Sequence, residues 1–450
     1  VTETVSPAAA HAAAVAQVIA HVESGARATV VNSPPGAGKS TLVRTVAQRI
    51  AQTGIVVPII TQTNDQADDH VRVLRQSGLR IGRLHAHNYS PPERHPNNQR
   101  DLRQLLDCNI IVAPAAKWKT LNARENHDWS PHLGIIDEAY QMSSAALAAV
   151  AGFHHRLLLV GDPGQLSPFT TADMRTLRSS ITWPLDTAAH TVLTNVPTSP
   201  QVELPVTWRL PPTTARLVAR AFYQQYFTSG LSPEQRRLSP LGVVRDAYDQ
   251  AIHAAAEHSI CLLELSDEHV ALNDQDMTSA IATLVSRLLT RRITLIDGDE
   301  RRPLKARDIA IGVVHTEQRD RIQYAVDSAA ALLGLAGGDI LVDTANRLQG
   351  REFEVVIALH PLSGRRDATE FHLEAGRLCV LASRHRTACI VISRAGIRRQ
   401  LHGYPHTQPV WLNAPRPPMD GWTANRTFLD DLRNVASITL PSGSMIPGPR

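Results

Sequence analysis

The chain has 450 residues, 43% of them hydrophobic, which is too long for one ordinary core and suits two α/β domains of about 150–200 residues each with a tail. Lys and Arg outnumber Asp and Glu by 46 to 42, giving a formal charge of +4 and a pI near 9.0, a balance compatible with a basic groove on a mixed surface. Cys108, Cys261, Cys379 and Cys389 are scattered without CxxC spacing, which argues against a zinc ribbon, an iron–sulfur cluster or a disulfide framework and fits a reducing, cytoplasmic setting, and no apolar run approaches the roughly 18 residues of a membrane span.

The Ala-rich stretch from Ala8 to Ala20 carries histidines and no cationic flank, so it reads as a helix rather than a signal peptide. Beyond it, short apolar runs rich in β-branched residues alternate with longer helical patterns, the signature of βαβ units and parallel sheets. Core strands are predicted over residues 28–32, 56–61, 109–113, 133–137 and 156–161, each followed by polar or Gly/Pro residues where such sheets place ligands. The Pro-, Thr- and Ser-rich residues 191–205 read as a connection between a first domain, 1–190, and a second, 206–400. That second half repeats the pattern with strands over 259–265, 309–314, 355–359 and 388–393. From Leu401 the chain turns rich in Pro, Gly and Asn, and a loosely attached tail is expected over 401–450.

The residues from Ala28 to Thr41 read as a buried strand, a Gly-rich turn and a helix start, a geometry that aims backbone N–H groups at an anion. Pro35, Gly36, Ala37, Gly38, Lys39, Ser40 and Thr41 are therefore the candidate ATP-binding residues. Gly36 and Gly38 let the backbone approach the β-phosphate, Lys39 reaches the β/γ oxygens, and the Ser40 hydroxyl ligates Mg²⁺. Ser33 stands where the pattern usually has its first glycine. Lys39 is one of only four lysines, with Lys117, Lys119 and Lys305, and a compact ammonium fits a phosphate cradle where a planar guanidinium does not. A second strand ends in Asp137 and Glu138, candidates for the magnesium partner and the general base.

Six segments in order then resemble superfamily 1 helicases. Thr61-Gln-Thr-Asn-Asp-Gln-Ala resembles motif Ia, Asp137-Glu-Ala-Tyr-Gln motif II, and Gly161-Asp-Pro-Gly-Gln-Leu-Ser-Pro168 motif III. Trp208-Arg-Leu-Pro211 resembles motif IV, Val342 to Glu352 motif V, and Arg377 to Arg384 motif VI, so the likeness runs from about Ala8 to Ser393. It implies an α/β fold of two RecA-like P-loop NTPase domains with parallel sheets, nucleotide in the cleft between them, and ATP and Mg²⁺ as cofactors. It assigns Gln165 to sensing the γ-phosphate, Arg209 and Arg384 to stabilising charge on the transferring group, and Gln349, Gly350 and Glu352 to the nucleotide, Glu352 meeting the ribose. Thr61, Asn64 and Thr344 match positions that hold a strand's phosphate backbone. The family's adenine-reading glutamine is replaced by His11, with Gln17 the alternative by spacing, and Gln318 lines up with another family glutamine.

Motif III ending in Gln-Leu-Ser-Pro and motif II reading Asp-Glu-Ala-Tyr-Gln are similar to the B branch, which includes the nonsense-mediated-decay helicase and its bacterial relatives and translocates 5′→3′. The expected function is an ATP-dependent motor on single-stranded nucleic acid, with DNA ahead of RNA as the track. A protein partner is expected to supply specificity. A nucleotide-dependent switch within a defence, repair or mobile-element complex is the alternative. No wedge-bearing insertion is evident between residues 61 and 137.

Overall fold

The structure, a computed structural model, describes residues 6–121, 129–168, 183–223, 227–240, 242–270, 273–403 and 420–441. Among these the chain forms two compact units, one of residues 6–163 and 167–206 and one of residues 164–166, 207–403 and 420–441.

In the first unit, α1 (Pro7–Glu23) begins where the Ser6 side chain accepts the Ala9 N–H and Pro7 occupies the first turn, and it turns Ala14, Val18 and Val22 inward. After it come β1 (Ala28–Asn32), α2 (Lys39–Ala51), β2 (Val57–Thr61), α3 (Asn64–Leu74), β3 (Ile81–Leu84), β4 (Asn98–Gln99), β5 (Ile110–Pro114), α4 (Ala115–Trp118), β6 (Leu133–Asp137), α5 (Ser144–Ala151), β7 (Arg156–Gly161), α6 (Ala188–Asn195) and β8 (Gln201–Glu203). The strands form one sheet in the order β4-β3-β5-β2-β6-β7-β1-β8, every pair parallel. Its central strands are continuous Val, Ile and Leu runs because both faces are covered. Successive residues feed opposite sides: Val31, Ile59, Val112 and Ile135 pack with α1, α2 and α3, whereas Val30, Ile60, Ile111 and Ile136 pack with α4, α5 and α6.

The chain passes into the second unit at β9 (Val206–Thr207) and continues with α7 (Pro212–Phe222), β10 (Thr228–Ser229), β11 (Arg236–Ser239), α8 (Ala247–His258), β12 (Ile260–Leu265), α9 (Gln275–Thr290), β13 (Thr294–Asp297), β14 (Glu300–Pro303), β15 (Ile309–Val313), α10 (Thr316–Ala331), β16 (Leu341–Thr344), α11 (Ala345–Leu348) and β17 (Phe353–Leu359). It closes with α12 (Glu370–Leu373), α13 (Ala375–Ala382), β18 (His385–Arg394), α14 (Ile397–Gly403), α15 (Gly421–Val435) and β19 (Ser437–Thr439). Its main sheet, β16-β15-β17-β18-β12-β19, is again all parallel. A small antiparallel sheet, β11-β13-β14, packs beside it, with Leu238 and Leu295 in the same core. One core gathers Leu263, Ile311 and Ile357 with α8, α9 and α10, and the other gathers Leu262, Val356 and Val391 with α7, α13 and α15.

Two expectations change. Residues 191–205 are not a free connection: they hold the end of α6 and all of β8, which pairs in parallel with β1. The Pro- and Ser-rich composition reflects the turns on either side of a three-residue strand, too short to show alternation. Residues 401–450 are not uniformly a loose tail either. After the end of α14, α15 starts at Asp420, whose side chain accepts the Thr423 N–H, and buries Phe428, Leu429 and Leu432, and β19 extends the second sheet beside β12. Residues 442–450 lie outside the described residues.

Candidate functional site

Parallel strands deliver their carboxyl ends to one edge, so the loops after β1, β2, β6 and β7 meet there. After β1 the turn takes Gly36 at φ 74° and Gly38 at φ 84°, conformations that favour glycine, and α2 starts at Lys39 without a side-chain cap. A Cβ at Gly38 would meet nothing within 4 Å, so the space over that residue is open. The Ser33 N–H donates to the Gly161 carbonyl at 2.8 Å, tying the start of the turn to the end of β7. Uncapped first-turn N–H groups, with Ser40 and Thr41 behind Lys39, suit an anion.

Lys39 Nζ lies 3.4 Å from Glu138 Oε1 and 3.8 Å from Asp162 Oδ2, all three largely buried. Glu138 follows β6 at φ 55°, in the left-handed region. Its neighbour Asp137 is held at both oxygens: Oδ1 accepts the Glu138 N–H at 3.0 Å, and Oδ2 faces His70 Nε2 at 2.8 Å. Burial opposes ionisation of Asp137, but the His70 hydrogen bond and charge, then Lys39 and the Glu138 N–H, outweigh it and hold the carboxyl below its ordinary value. The oxygens available at this edge, the Ser40 hydroxyl and the Asp137, Glu138 and Asp162 carboxylates, are hard donors of the kind Mg²⁺ takes beside nucleotide phosphates. Among the described residues no group of three His, Cys, Asp or Glu side chains could hold a metal by itself.

Behind the turn lies a relay that the sequence did not announce. Tyr140 Oη donates to Asn32 Oδ1 at 2.6 Å, and Asn32 Nδ2 donates to Glu203 Oε1 at 2.6 Å. Burial raises the Glu203 carboxyl above its ordinary value, with the Asn32 bond pulling the other way, and burial raises the Tyr140 phenol, helped by the charges of Glu203 and Asp162. Asn32 sits level with Gly161 on one side and Glu203 on the other, so β8 belongs to the site's frame.

In the second unit, Arg209 pairs with Glu352 and donates to the Ser383 carbonyl at 3.3 Å. Burial opposes ionisation of Glu352, but Arg209, Arg384 and Arg386 bring it below its ordinary value. Arg384 is almost wholly buried, with Nη2 donating to Ser383 Oγ at 3.1 Å. Gln349 Nε2 donates to Gln165 Oε1 at 3.1 Å, Gln165 being grouped with this unit, and Gly350 turns at φ 83°. Arg236 donates to the Trp208 and Arg209 carbonyls, both at 3.2 Å, and so fixes the backbone that carries Arg209. Nothing in its sequence position singles Arg236 out.

The remaining expected residues lie on other parts of the two units. Thr61 is fully buried and its hydroxyl donates to the Thr63 carbonyl at 2.9 Å, while Asn64 Oδ1 accepts from Arg83 at 2.9 Å, so both serve the entry to α3. Thr344 ends β16 level with Val313 and makes no cap bond to α11. Gln318 Oε1 accepts the Val314 and His315 N–H groups, capping α10. His11 is half-buried on α1, where burial lowers its pKa, and Gln17 is exposed on the same helix. His70 was missed because a lone histidine on the buried face of α3, among Ala67, Val71 and Leu74, carries no motif.

A Gly-rich turn opening a helix beside an acidic strand end, on a parallel sheet, defines a P-loop nucleoside-triphosphatase. Two family models, each described as an AAA domain, match in tandem over residues 10–181 and 187–396. The chain belongs to superfamily 1 of the helicases, with two RecA-like domains. A solved arterivirus nonstructural protein 10, a helicase, is similar at 14% identity and a TM-score of 0.45, over 84% of this chain and 61% of that one. The complex of arterivirus nonstructural protein 10 with DNA gives 14% identity and a TM-score of 0.43, over 84% and 62%. The chain thus spans about three-fifths of the length of these solved helicases. No curated protein matches it. No helix among the described residues is long and apolar enough to cross a membrane.

Proposed function

We propose that the protein is an ATP-hydrolysing translocase on single-stranded nucleic acid, of the superfamily's B branch and moving 5′→3′. The observation that carries the hydrolytic part is the meeting of Lys39, Asp137, Glu138 and Asp162 at the open edge of the first sheet. Lys39 would exchange its carboxylate partners for the β/γ-phosphates, and the uncapped start of α2 would take the remaining charge. Ser40 and Asp137 would hold Mg²⁺, which supplies charge neutralisation between the β- and γ-phosphates. Glu138 would accept a proton from the attacking water as its oxygen bonds to the γ-phosphorus and the bond to the β–γ bridging oxygen breaks, leaving ADP and phosphate. Arg209 and Arg384 are assigned to the charge on the transferring group, Gln165 to sensing it, and Gln349, Gly350, Glu352 and His11 to the rest of the nucleotide. Thr344, at the carboxyl end of β16 with a side chain free of cap duty, supports a strand contact in the second unit. The domain limits proposed are 1–190 and 206–400, with β8 and β19 added to the sheets they join and α15 to the second domain.

The test is ATP turnover measured side by side with single-stranded DNA, single-stranded RNA and duplex. Stimulation by single strands, greatest with DNA, is expected. Turnover indifferent to all three, yet altered by a protein partner, would replace the motor with a nucleotide switch.

A further inference from the structure

His70 is 2% exposed, on the inward face of α3, where an apolar side chain would serve packing better. A buried imidazole costs free energy unless its polar atoms are bonded. Among the described residues Nδ1 of His70 is buried without a hydrogen-bond partner, so only one of its two nitrogens is satisfied. Its side-chain bond among the described residues runs from Nε2 to Asp137 Oδ2, at 2.8 Å. Nε2 can donate to Asp137 in the neutral Nε2–H tautomer and in the imidazolium alike, so the bond to the carboxylate stands in either form. Asp137 has a second fixed bond, at Oδ1, from the N–H of Glu138, so its carboxylate plane is set from both sides while each oxygen keeps lone-pair capacity.

We infer that His70 is a positioning residue for Asp137, locking the carboxylate in the orientation that holds the magnesium ion of bound nucleotide. The inference rests on the nucleotide-site reading above and goes further by naming what orients its metal partner. Groups that hydrogen-bond a ligating carboxylate or histidine contribute to metal affinity without touching the ion. His70→Leu keeps the bulk and loses the donor. His70→Gln places an amide N–H where Nε2 stands.

The measurement is Mn²⁺ affinity of the protein–ADP complex by electron paramagnetic resonance, together with the affinity for a fluorescent ADP analogue in Mg²⁺ and in EDTA. His70→Leu should lower Mn²⁺ affinity by about 10–100-fold and leave analogue affinity in EDTA unchanged, and His70→Gln should restore most of the loss. Wild-type Mn²⁺ affinity in His70→Leu would overturn the inference. So would equal losses in both variants that persist in EDTA, since they would show a packing role. Nucleotide binding by the wild-type protein that ignores metal altogether would overturn the site reading itself, and this inference with it.

Discussion

Lys39 and Glu138 face each other across 3.4 Å, yet their removal has different consequences. Lys39→Ala deletes the charge facing the phosphates and should abolish both tight ATP binding and hydrolysis. Glu138→Gln keeps the shape and leaves Ser40 and Asp137 in place, so ATP should still bind while turnover falls by about 10²–10⁴-fold, the usual contribution of a general base. Equilibrium binding and single-turnover hydrolysis separate the two outcomes, and full activity in either variant would sink the assignment. These residues were legible because strand, turn and helix leave a composition signature around them. His70, Asn32 and Glu203 were not, because hydrogen bonds across 67 and 171 residues leave no local pattern. His360 is buried at the end of β17, its Nδ1 accepting the Leu362 N–H at 3.2 Å, and burial, with the charge of Arg433 second, pushes its pKa down to about 3. The unfolded chain therefore binds a proton between about pH 6.5 and 3 that the folded chain does not, so this contribution is whole above pH 6.5 and is lost as pH falls. Stability should fall by up to about 1.4 kcal/mol per pH unit for each such histidine. Urea midpoints at pH 7 and pH 5 measure it, and His360→Asn, which keeps an acceptor for Leu362, should flatten the slope.

Elements were readable where apolar runs were long. The limits of β1, β6 and β7 coincide with the predicted ranges, whereas β18 extends from His385 to Arg394, beyond the apolar run, because pairing with β12 and β17 orders its polar ends. Two of the edge strands, β8 and β19, have three residues each and were invisible for that reason. The case of α15 is different: its pattern of Phe428, Leu429 and Leu432 is amphipathic, but the Pro-rich stretch before it dominated the local composition. Phe428 packs 5.5 Å from Phe222 of α7, ring centroid to centroid, and is fully buried. Phe428→Ala should destabilise the second unit by about 3–5 kcal/mol, a cavity-forming loss that chemical denaturation followed in that unit would register. A loss below 0.5 kcal/mol, on the scale of ordinary surface changes, would return α15 to the status of a loose tail.

For the whole molecule, the arginine-rich charge and the absence of any base-reading pattern in the motifs point to binding governed by the strand's backbone. If the track contacts 6–10 phosphates, affinity should fall by about 10³–10⁵-fold between 50 and 200 mM salt, and fluorescence anisotropy with an unstructured oligonucleotide would show it. Thr344→Leu should leave basal hydrolysis and remove stimulation, since the side chain makes no cap bond whose loss would unfold α11. Salt-insensitive binding to one duplex sequence would exclude the motor. The backbone at Glu138 has its own bearing on the molecule. A side chain there at φ 55° occupies a conformation that disfavours non-glycine residues by roughly 1–2 kcal/mol, so the residue assigned to proton transfer is also one where the fold is weaker than it could be. Activity and robustness are then opposed at a single position. Glu138→Gly should melt about 2–4 °C higher while losing turnover, so a screen for thermal stability alone would drift toward an inactive protein.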